Sequence, residues 1–224
     1  MVKNLVEKGN LDKPLIIQNR TKAKAEEFAS TLPSGKAKVV DTPADLAAAS
    51  DIIFTALGDD KSIEDLVQGL LKADVKGKLI VDTTTIHPDT SSQLNKAITA
   101  QGAHFVACPV FGAPAMANSG NLVCVIAGLK SDIAKVLPYT KGVIARENIL
   151  FEDQDPAKAL TLKIIGNTMV LHMVESLSEG HTLAEKTGLG TQQFHDFVST
   201  MFPGPHAAYS NRSVSLRIHS NDSC

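Results

Sequence analysis

Short apolar runs alternate with amphipathic stretches along residues 1–155. The runs have the length of buried strands, and the stretches between them carry apolar residues at helical spacing. The predicted strands cover residues 15–18, 37–40, 51–57, 78–83, 104–107 and 122–128. Strands that alternate with helices are typical of an α/β fold with a doubly wound, mostly parallel sheet and helices on both faces.

The predicted helices begin at residues that suit a helix N-terminus. Thr21 and the pair Thr42-Pro43 each precede a helical pattern, and Pro88 opens another. Residues 62–65 are predicted to cap the helix that ends near Leu71. These start signals support the alternation of strands and helices.

The pattern changes after Asp155-Pro156, which is a cap followed by a proline. A helix is predicted from there to about Lys186, with a broad apolar face, and a second helix over residues 191–200. Residues 210–224 have no sustained period and are rich in Ser and Asn, so we expect a disordered tail.

This pattern predicts three segments. Residues 1–155 would form an α/β domain, residues 156–209 the start of a helical domain, and residues 210–224 the tail. The apolar face of the long helix must be buried against another surface, and a homodimer interface would bury it.

Composition narrows the classes of function. The formal net charge of −2 indicates no basic surface for nucleic acid, and no apolar run approaches the ~18 residues that cross a membrane. The three cysteines have no metal-ligand spacing and suit a reducing compartment. We therefore expect a cytoplasmic protein without a metal; a mitochondrial location is the alternative if a transit peptide precedes the chain.

Lys163 and Asn167 are the strongest candidates for chemistry. They are four residues apart in the long predicted helix, so both point from the same face. If the lysine is desolvated, its pKa falls and the amine can take a proton from a hydroxyl that both side chains grip. The alternative is a surface lysine near an ordinary core asparagine.

Four segments occur in an order that resembles a known family. They are DTTTIHPDTSSQL (82–94), CPVFGAPAMANSGNL (108–122), KIIGN (163–167) and EGHTLAEKTGL (179–189). Over roughly residues 1–209 the chain resembles the β-hydroxyacid dehydrogenases, the relatives of 3-hydroxyisobutyrate dehydrogenase and 6-phosphogluconate dehydrogenase. The resemblance implies an NAD(P)-dependent enzyme that moves a hydride between a nicotinamide and a short β-hydroxy acid. It also implies that residues 1–155 are a truncated NAD(P)-binding domain and that residues 156–209 are the start of a helical substrate and dimerisation domain.

The resemblance also implies roles for individual residues. Lys163 would be the general base in oxidation and the general acid in reduction, and Asn167 would orient the substrate hydroxyl. The backbone amide of Gly112 would help to hold the substrate carboxylate, because small residues let backbone donors approach closely. Thr84, Phe111 and Ala113 would line the same substrate. The alternative for this loop is a flexible connection.

Cofactor choice rests on Asn19-Arg20-Thr21, which follows the first predicted strand. An acidic residue there would hold the ribose of NAD, whereas an arginine accommodates the phosphate of NADP. Arg20 can pair with that phosphate, and Thr21 begins a helix, where an anion is stabilised. The sequence therefore favours NADP, with NAD as the alternative; Arg20 could also be only a solvated loop residue.

Four more residues should line the nicotinamide side by the same resemblance. They are Leu57, Gly58, Ser62 and Thr85. The alternative for Leu57 is a core residue at a strand end. Thr84 and Thr85 could instead be β-formers that end a strand.

The chain departs from the family pattern at its front. No GxGxxG turn occurs, and residues 1–9 resemble the helix that follows that turn. Strands 15–18 and 51–57 would then face a gap, and each unpaired buried backbone group costs about 1–3 kcal/mol. With the family's later helices also absent, we expect a chain truncated at both ends that binds its cofactor weakly.

A second departure lies in the substrate loop, where Phe111 replaces a serine that many relatives carry. Substrate identity is therefore open, and Phe111 could favour a bulkier substrate or pack inward. Two functions stay in competition. The first is an NADP-dependent β-hydroxyacid dehydrogenase, and the second is a non-catalytic, truncated relative that acts as a binding or dimerisation module.

Overall fold

The computed structural model describes the backbone of residues 1–221 and the side chains of residues 1–214. The chain forms two compact units, residues 1–163 and the residues from 164 onward. The division falls inside the long helix, whereas the sequence placed the domain boundary after residue 155.

The first unit contains all the strands of the described chain. They are β1 Leu15–Ile17, β2 Ala37–Val39, β3 Ile52–Thr55, β4 Leu79–Asp82, β5 His104–Ala107, β6 Val110–Phe111, β7 Leu122–Gly128 and β8 Ala145–Glu152. The helices of the described chain are α1 Val2–Lys8, α2 Lys22–Ser30, α3 Pro43–Ala49, α4 Asp60–Leu70, α5 Pro88–Ala100, α6 Pro114–Ser119, α7 Lys130–Val136, α8 Ala157–Lys186, α9 Thr191–Met201 and α10 Pro205–Asn221.

The predicted α/β architecture is confirmed. Strands β3, β4 and β5 are parallel neighbours, and β8 is parallel to β7. Strand β7 runs antiparallel to β5 and β6, because β6 returns to it through the short helix α6 rather than through a full crossover. The sheet is therefore mixed but mostly parallel.

Two apolar clusters cover opposite sides of the six-stranded sheet. One cluster joins Ile53, Ile80 and Phe105 to buried residues of α4 and α5. The other joins Val81 and Val106 to buried residues of α1 and α7. Alternate residues of one strand, such as Ile80 and Val81, thus face different layers of helices, as a doubly wound sheet requires.

The predicted gap is present in the sheet. Strands β1 and β2 form a separate two-stranded sheet, and β3 ends the six-stranded one. No strand pairing joins β1 to β3 in the described chain. Residues 15–17 are only half-buried, which is what an incompletely covered apolar strand shows.

Helix starts agree with the sequence except in one place. Thr42 and Asp45 form a full capping box, and Thr21 is the N-cap of α2. Helix α4, however, begins at Asp60 with Asp59 as its cap, so the prediction of a cap at Ser62–Asp65 is wrong. The carboxylate of Asp59 accepts a hydrogen bond from the backbone N–H of Ser62.

The sequence missed two short elements, β6 and α6, in the segment that it treated as a loop. Helix α6 starts at Pro114 and ends at Gly120, whose φ of 76° is left-handed. Both elements are too short to produce a detectable period in the sequence.

The expected disordered tail is corrected as well. Helix α10 covers residues 205–221, and residues 222–224 lie outside the described part. Ser210 of this helix is buried, and its hydroxyl is hydrogen-bonded to ring nitrogens of His181 and His195.

Candidate active site

The start of helix α8 is anchored to the first unit. The carboxylate of Asp155 accepts a hydrogen bond from the backbone N–H of Ala157 at 2.9 Å and from the hydroxyl of Ser92 at 3.2 Å. Ala159 and Leu160 are fully buried in the apolar cluster that also contains Ile80 and Phe105. These contacts fix the rotation of the first turns of the helix, and hence the direction of Lys163.

Lys163 is a buried lysine, with only 8% of its surface exposed. Its Nζ lies 4.2 Å from the ring centroid of Phe111, which ends strand β6. Burial lowers the pKa of Lys163, because desolvation penalises its charged form. The sequence analysis expected a proton-transferring lysine to be desolvated, and Lys163 is.

Asn167 follows one turn later in the same helix. Its side chain is half-buried, and it belongs to the second unit. Its role toward a substrate hydroxyl stays a prediction.

A buried carboxylate organises the carboxyl ends of β3 and β4. Asp82 Oδ1 accepts hydrogen bonds from the Thr55 hydroxyl at 2.7 Å and from the backbone N–H of Thr84 at 3.0 Å. Thr84 Oγ1 in turn accepts from the backbone N–H of Leu57 at 3.1 Å. A predicted cofactor residue, Leu57, is therefore hydrogen-bonded directly to a predicted substrate residue, Thr84, whose backbone is held by the carboxylate of Asp82.

Burial raises the pKa of Asp82 above its ordinary value, although the hydrogen bonds from Thr84 and Thr55 oppose this. Its second oxygen, Oδ2, has no hydrogen-bond partner in the described chain. An orphaned oxygen on a buried acid fits a carboxyl group that holds its proton readily.

The other predicted nicotinamide residues lie on the two loops after β3 and β4. Leu57 and Gly58 are exposed, and Ser62 lies in the first turn of α4, held by Asp59. Thr85 is exposed beside the buried Thr84. Asp60 accepts a hydrogen bond from the backbone N–H of His87 at 3.0 Å, so a second link, independent of Thr84, holds the loops together.

The segment Asn19-Arg20-Thr21 is exposed after β1, at the start of α2. Asn19 Nδ2 donates to the backbone oxygen of Thr21 at 3.2 Å, and the Thr21 side chain does not cap the helix. Hydrogen bonds from Ser62 lower the pKa of Asp59, and the charge of Arg20 contributes to the same shift. Arg20 is therefore within electrostatic reach of the loop after β3, although β1 and β3 are not paired.

The predicted substrate loop has a rigid base. Phe111 is paired with Val123 of β7, and Ala113 is the N-cap of α6. Gly112 between them has a φ of 139°, and a Cβ there would lie 2.7 Å from Leu122. Only glycine is therefore accommodated at this exposed turn.

Sequence reasoning missed three acids at this edge: Asp59, Asp60 and Asp82. Each follows or ends a strand, and a carboxylate at the carboxyl end of a parallel strand was the signal that could have identified them.

The described residues fit a nicotinamide dinucleotide in part. A Cβ at Gly58 would meet no atom within 4 Å, so there is open space beside the loop after β3. Arg20 supplies positive charge at the loop after β1. A GxGxxG turn for the pyrophosphate does not occur in the sequence. No group of three or more possible metal ligands occurs in the described residues.

The sequence pattern of a known family, the NAD binding domain of 6-phosphogluconate dehydrogenase, matches residues 1–147. The chain belongs to this family. The resemblance noted from the four segments is thereby confirmed, and the predicted enzyme class agrees with it.

A fungal relative supports this membership. The chain is 35% identical over 215 residues to the NADH-dependent oxidoreductase ucdB of Aspergillus ustus, covering 96% of this chain and 72% of the relative.

Two solved structures share the fold. One is Psf3 in complex with NADP+ and 2-OPP, with a TM-score of 0.81, 22% identity and coverage of 97% of this chain and 74% of that chain. The other is Mycobacterium tuberculosis 3-hydroxyisobutyrate dehydrogenase, with a TM-score of 0.76, 19% identity and coverage of 90% of this chain and 66% of that chain.

Within the described residues, no helix combines the length and apolar character needed to span a bilayer.

Proposed function

We propose that this chain is an oxidoreductase that transfers a hydride between NADP(H) and a small, 3-hydroxyisobutyrate-like β-hydroxy acid. The observation that carries the proposal is the buried amine of Lys163 beside the substrate loop. A desolvated lysine has a pKa closer to neutrality and can exchange a proton with a substrate oxygen.

The roles of the chain's own residues follow from this. In oxidation, Lys163 takes the proton of the substrate hydroxyl; in reduction, it returns a proton to the carbonyl oxygen. A nicotinamide dinucleotide, when bound, would supply the hydride chemistry. The hydrogen bond from the backbone N–H of Leu57 to Thr84 Oγ1 supports this proposal, because it holds the residue assigned to the cofactor next to a residue assigned to the substrate.

The choice of NADP(H) rests on Arg20. An arginine after the first strand can pair with the ribose phosphate, and no acidic residue occurs at 18–21 to hold the free ribose hydroxyls of NAD. The fungal relative is named for NADH, and the solved Psf3 complex contains NADP+. Direct comparison of the two dinucleotides on this chain is therefore the required measurement.

A homodimer belongs to the same proposal. Helix α8 exposes large apolar side chains, among them Met169 at 69% and Leu171 at 67%. A patch of this kind on a soluble domain marks an interaction surface. Light scattering that shows only monomers at micromolar concentration would remove the dimer.

The second candidate is a non-catalytic binding module, and the split between β1 and β3 favours it. The two functions are separated by titrating NADPH and following its fluorescence on the intact chain. Saturable binding, with oxidation of NADPH on adding a short β-keto acid or aldehyde acid, supports the oxidoreductase. An absence of binding at millimolar NADPH would exclude the oxidoreductase and favour the non-catalytic binding module.

A further inference from the structure

Phe111 is held in place by two sets of contacts. Its backbone pairs with Val123 of β7, and the preceding Val110 pairs with Cys124. Its half-buried ring packs against the apolar cluster that also contains Ala159 and Leu160 of helix α8. The ring and the start of the helix therefore share one rigid support.

The ring face is the partner that the structure provides for the Lys163 amine, with Nζ 4.2 Å from the ring centroid. No salt bridge or hydrogen bond to this Nζ occurs among the described side chains. Burial is what lowers the pKa of Lys163, and no carboxylate from β6, α8 or a neighbouring element contributes to this shift.

Burial and the ring act on the amine in opposite directions. Burial disfavours the ammonium form, whereas the negative face of an aromatic ring attracts an ammonium and gains little from a neutral amine. A leucine at position 111 would keep an apolar cover near the amine but would lack this counterweight.

We propose that Phe111 is a positioning residue for Lys163: its ring holds the amine in the protonated form and at a fixed place, and so favours reduction of a carbonyl substrate. In that direction the N–H bond of Lys163 breaks and an O–H bond forms at the carbonyl oxygen. The carbonyl carbon receives the hydride from the reduced dinucleotide, which becomes oxidised, and the neutral amine regains its proton from water. The preference for reduction rests on the proposed function, whereas the effect of the ring on the amine does not.

The test measures the amine directly. The intact chain is trace-labelled with acetic anhydride across a range of pH, and the labelling rate of Lys163 is read from its peptide by mass spectrometry. Each rate is divided by its plateau at high pH, which removes differences in access. The exposed Lys158 of the same helix is the internal reference.

Three proteins are compared: wild type, Phe111→Leu, and Phe111→Tyr as the control that keeps an aromatic face. In Phe111→Leu the profile of Lys163 should move to lower pH. Below the midpoint its normalised rate should rise about 2- to 30-fold, the range that cation–π energies imply. Phe111→Tyr should keep the wild-type profile.

An unchanged profile in a folded Phe111→Leu protein would overturn the inference, as would an equal shift in both variants. Circular dichroism checks folding, and Phe111→Met is the replacement if the leucine variant does not fold. Because labelling needs no turnover, a failed activity assay with the expected labelling result would count against the proposed function alone.

Discussion

Asp82 and Thr55 are joined by a 2.7 Å hydrogen bond between buried side chains at the ends of two neighbouring parallel strands. The hydroxyl of Thr55 donates, and the same carboxylate oxygen accepts from the backbone of Thr84. One acid thus positions the loop that carries the predicted substrate and nicotinamide residues.

Asp82 should make stability depend on pH. Burial raises its folded pKa above the ordinary value of 3.8, so the folded state binds more protons than the unfolded state above that pH. Its contribution to stability is therefore largest at low pH and falls as pH rises from 3.8 through the folded pKa, by about 1.4 kcal/mol for each unit of difference.

The measurement compares wild type with Asp82→Asn by urea unfolding between pH 4.5 and 7. The stability of wild type relative to the variant should decrease as pH rises. Parallel curves for the two proteins would mean that Asp82 does not titrate in this range.

Thr84→Val should destabilise the first unit. The change removes the oxygen that accepts from Leu57 N, and a partly buried donor left without a partner costs about 1–3 kcal/mol. The matched control is Thr85→Val, an exposed neighbour with the same change in shape, whose effect should stay within about 0.5 kcal/mol. Equal losses in the two variants would show that the Thr84–Leu57 bond contributes nothing.

Lys163→Ala should lower turnover about 10²- to 10⁴-fold if Lys163 transfers the proton. Dinucleotide affinity should change little, because the amine acts on the substrate oxygen. The control is Lys158→Ala, which removes an exposed lysine from the same helix. Steady-state kinetics and NADPH titration check both expectations, and full activity in Lys163→Ala would exclude this residue from the mechanism.

Arg20→Ala should weaken NADPH binding about 10- to 100-fold, as expected for the loss of a hydrogen-bonded charge pair with phosphate, and leave NADH binding unchanged. Lys24→Ala, an exposed lysine in the adjoining helix, is the control for general loss of positive charge. Dissociation constants from fluorescence titration decide the outcome. An equal loss for both dinucleotides would argue against recognition of the ribose phosphate.

Some site features could be predicted because they depend on residues close together in the chain. The capping box of Thr42 and Asp45 spans a single helical turn, and the start of helix α8 is set by Asp155 within two residues. Periodicity and capping act over such distances, so sequence patterns report them directly.

Other features depended on contacts that no local pattern records. Leu57 meets Thr84 across 27 positions of sequence, and Phe111 meets Lys163 through two elements that are far apart in the chain. The cap at Asp59 was missed because Ser62, inside the first turn, is an equally acceptable cap by residue type.

The sequence by itself determined the alternation of strands and helices, the long helix that carries Lys163, and the gap between β1 and β3. Only the tertiary structure decided that β7 runs antiparallel, that Asp82 joins the two loops, and that an aromatic ring faces the buried amine. The physical reason is that propensity and periodicity act within a few residues, whereas strand direction, burial and side-chain contacts arise when distant segments pack together.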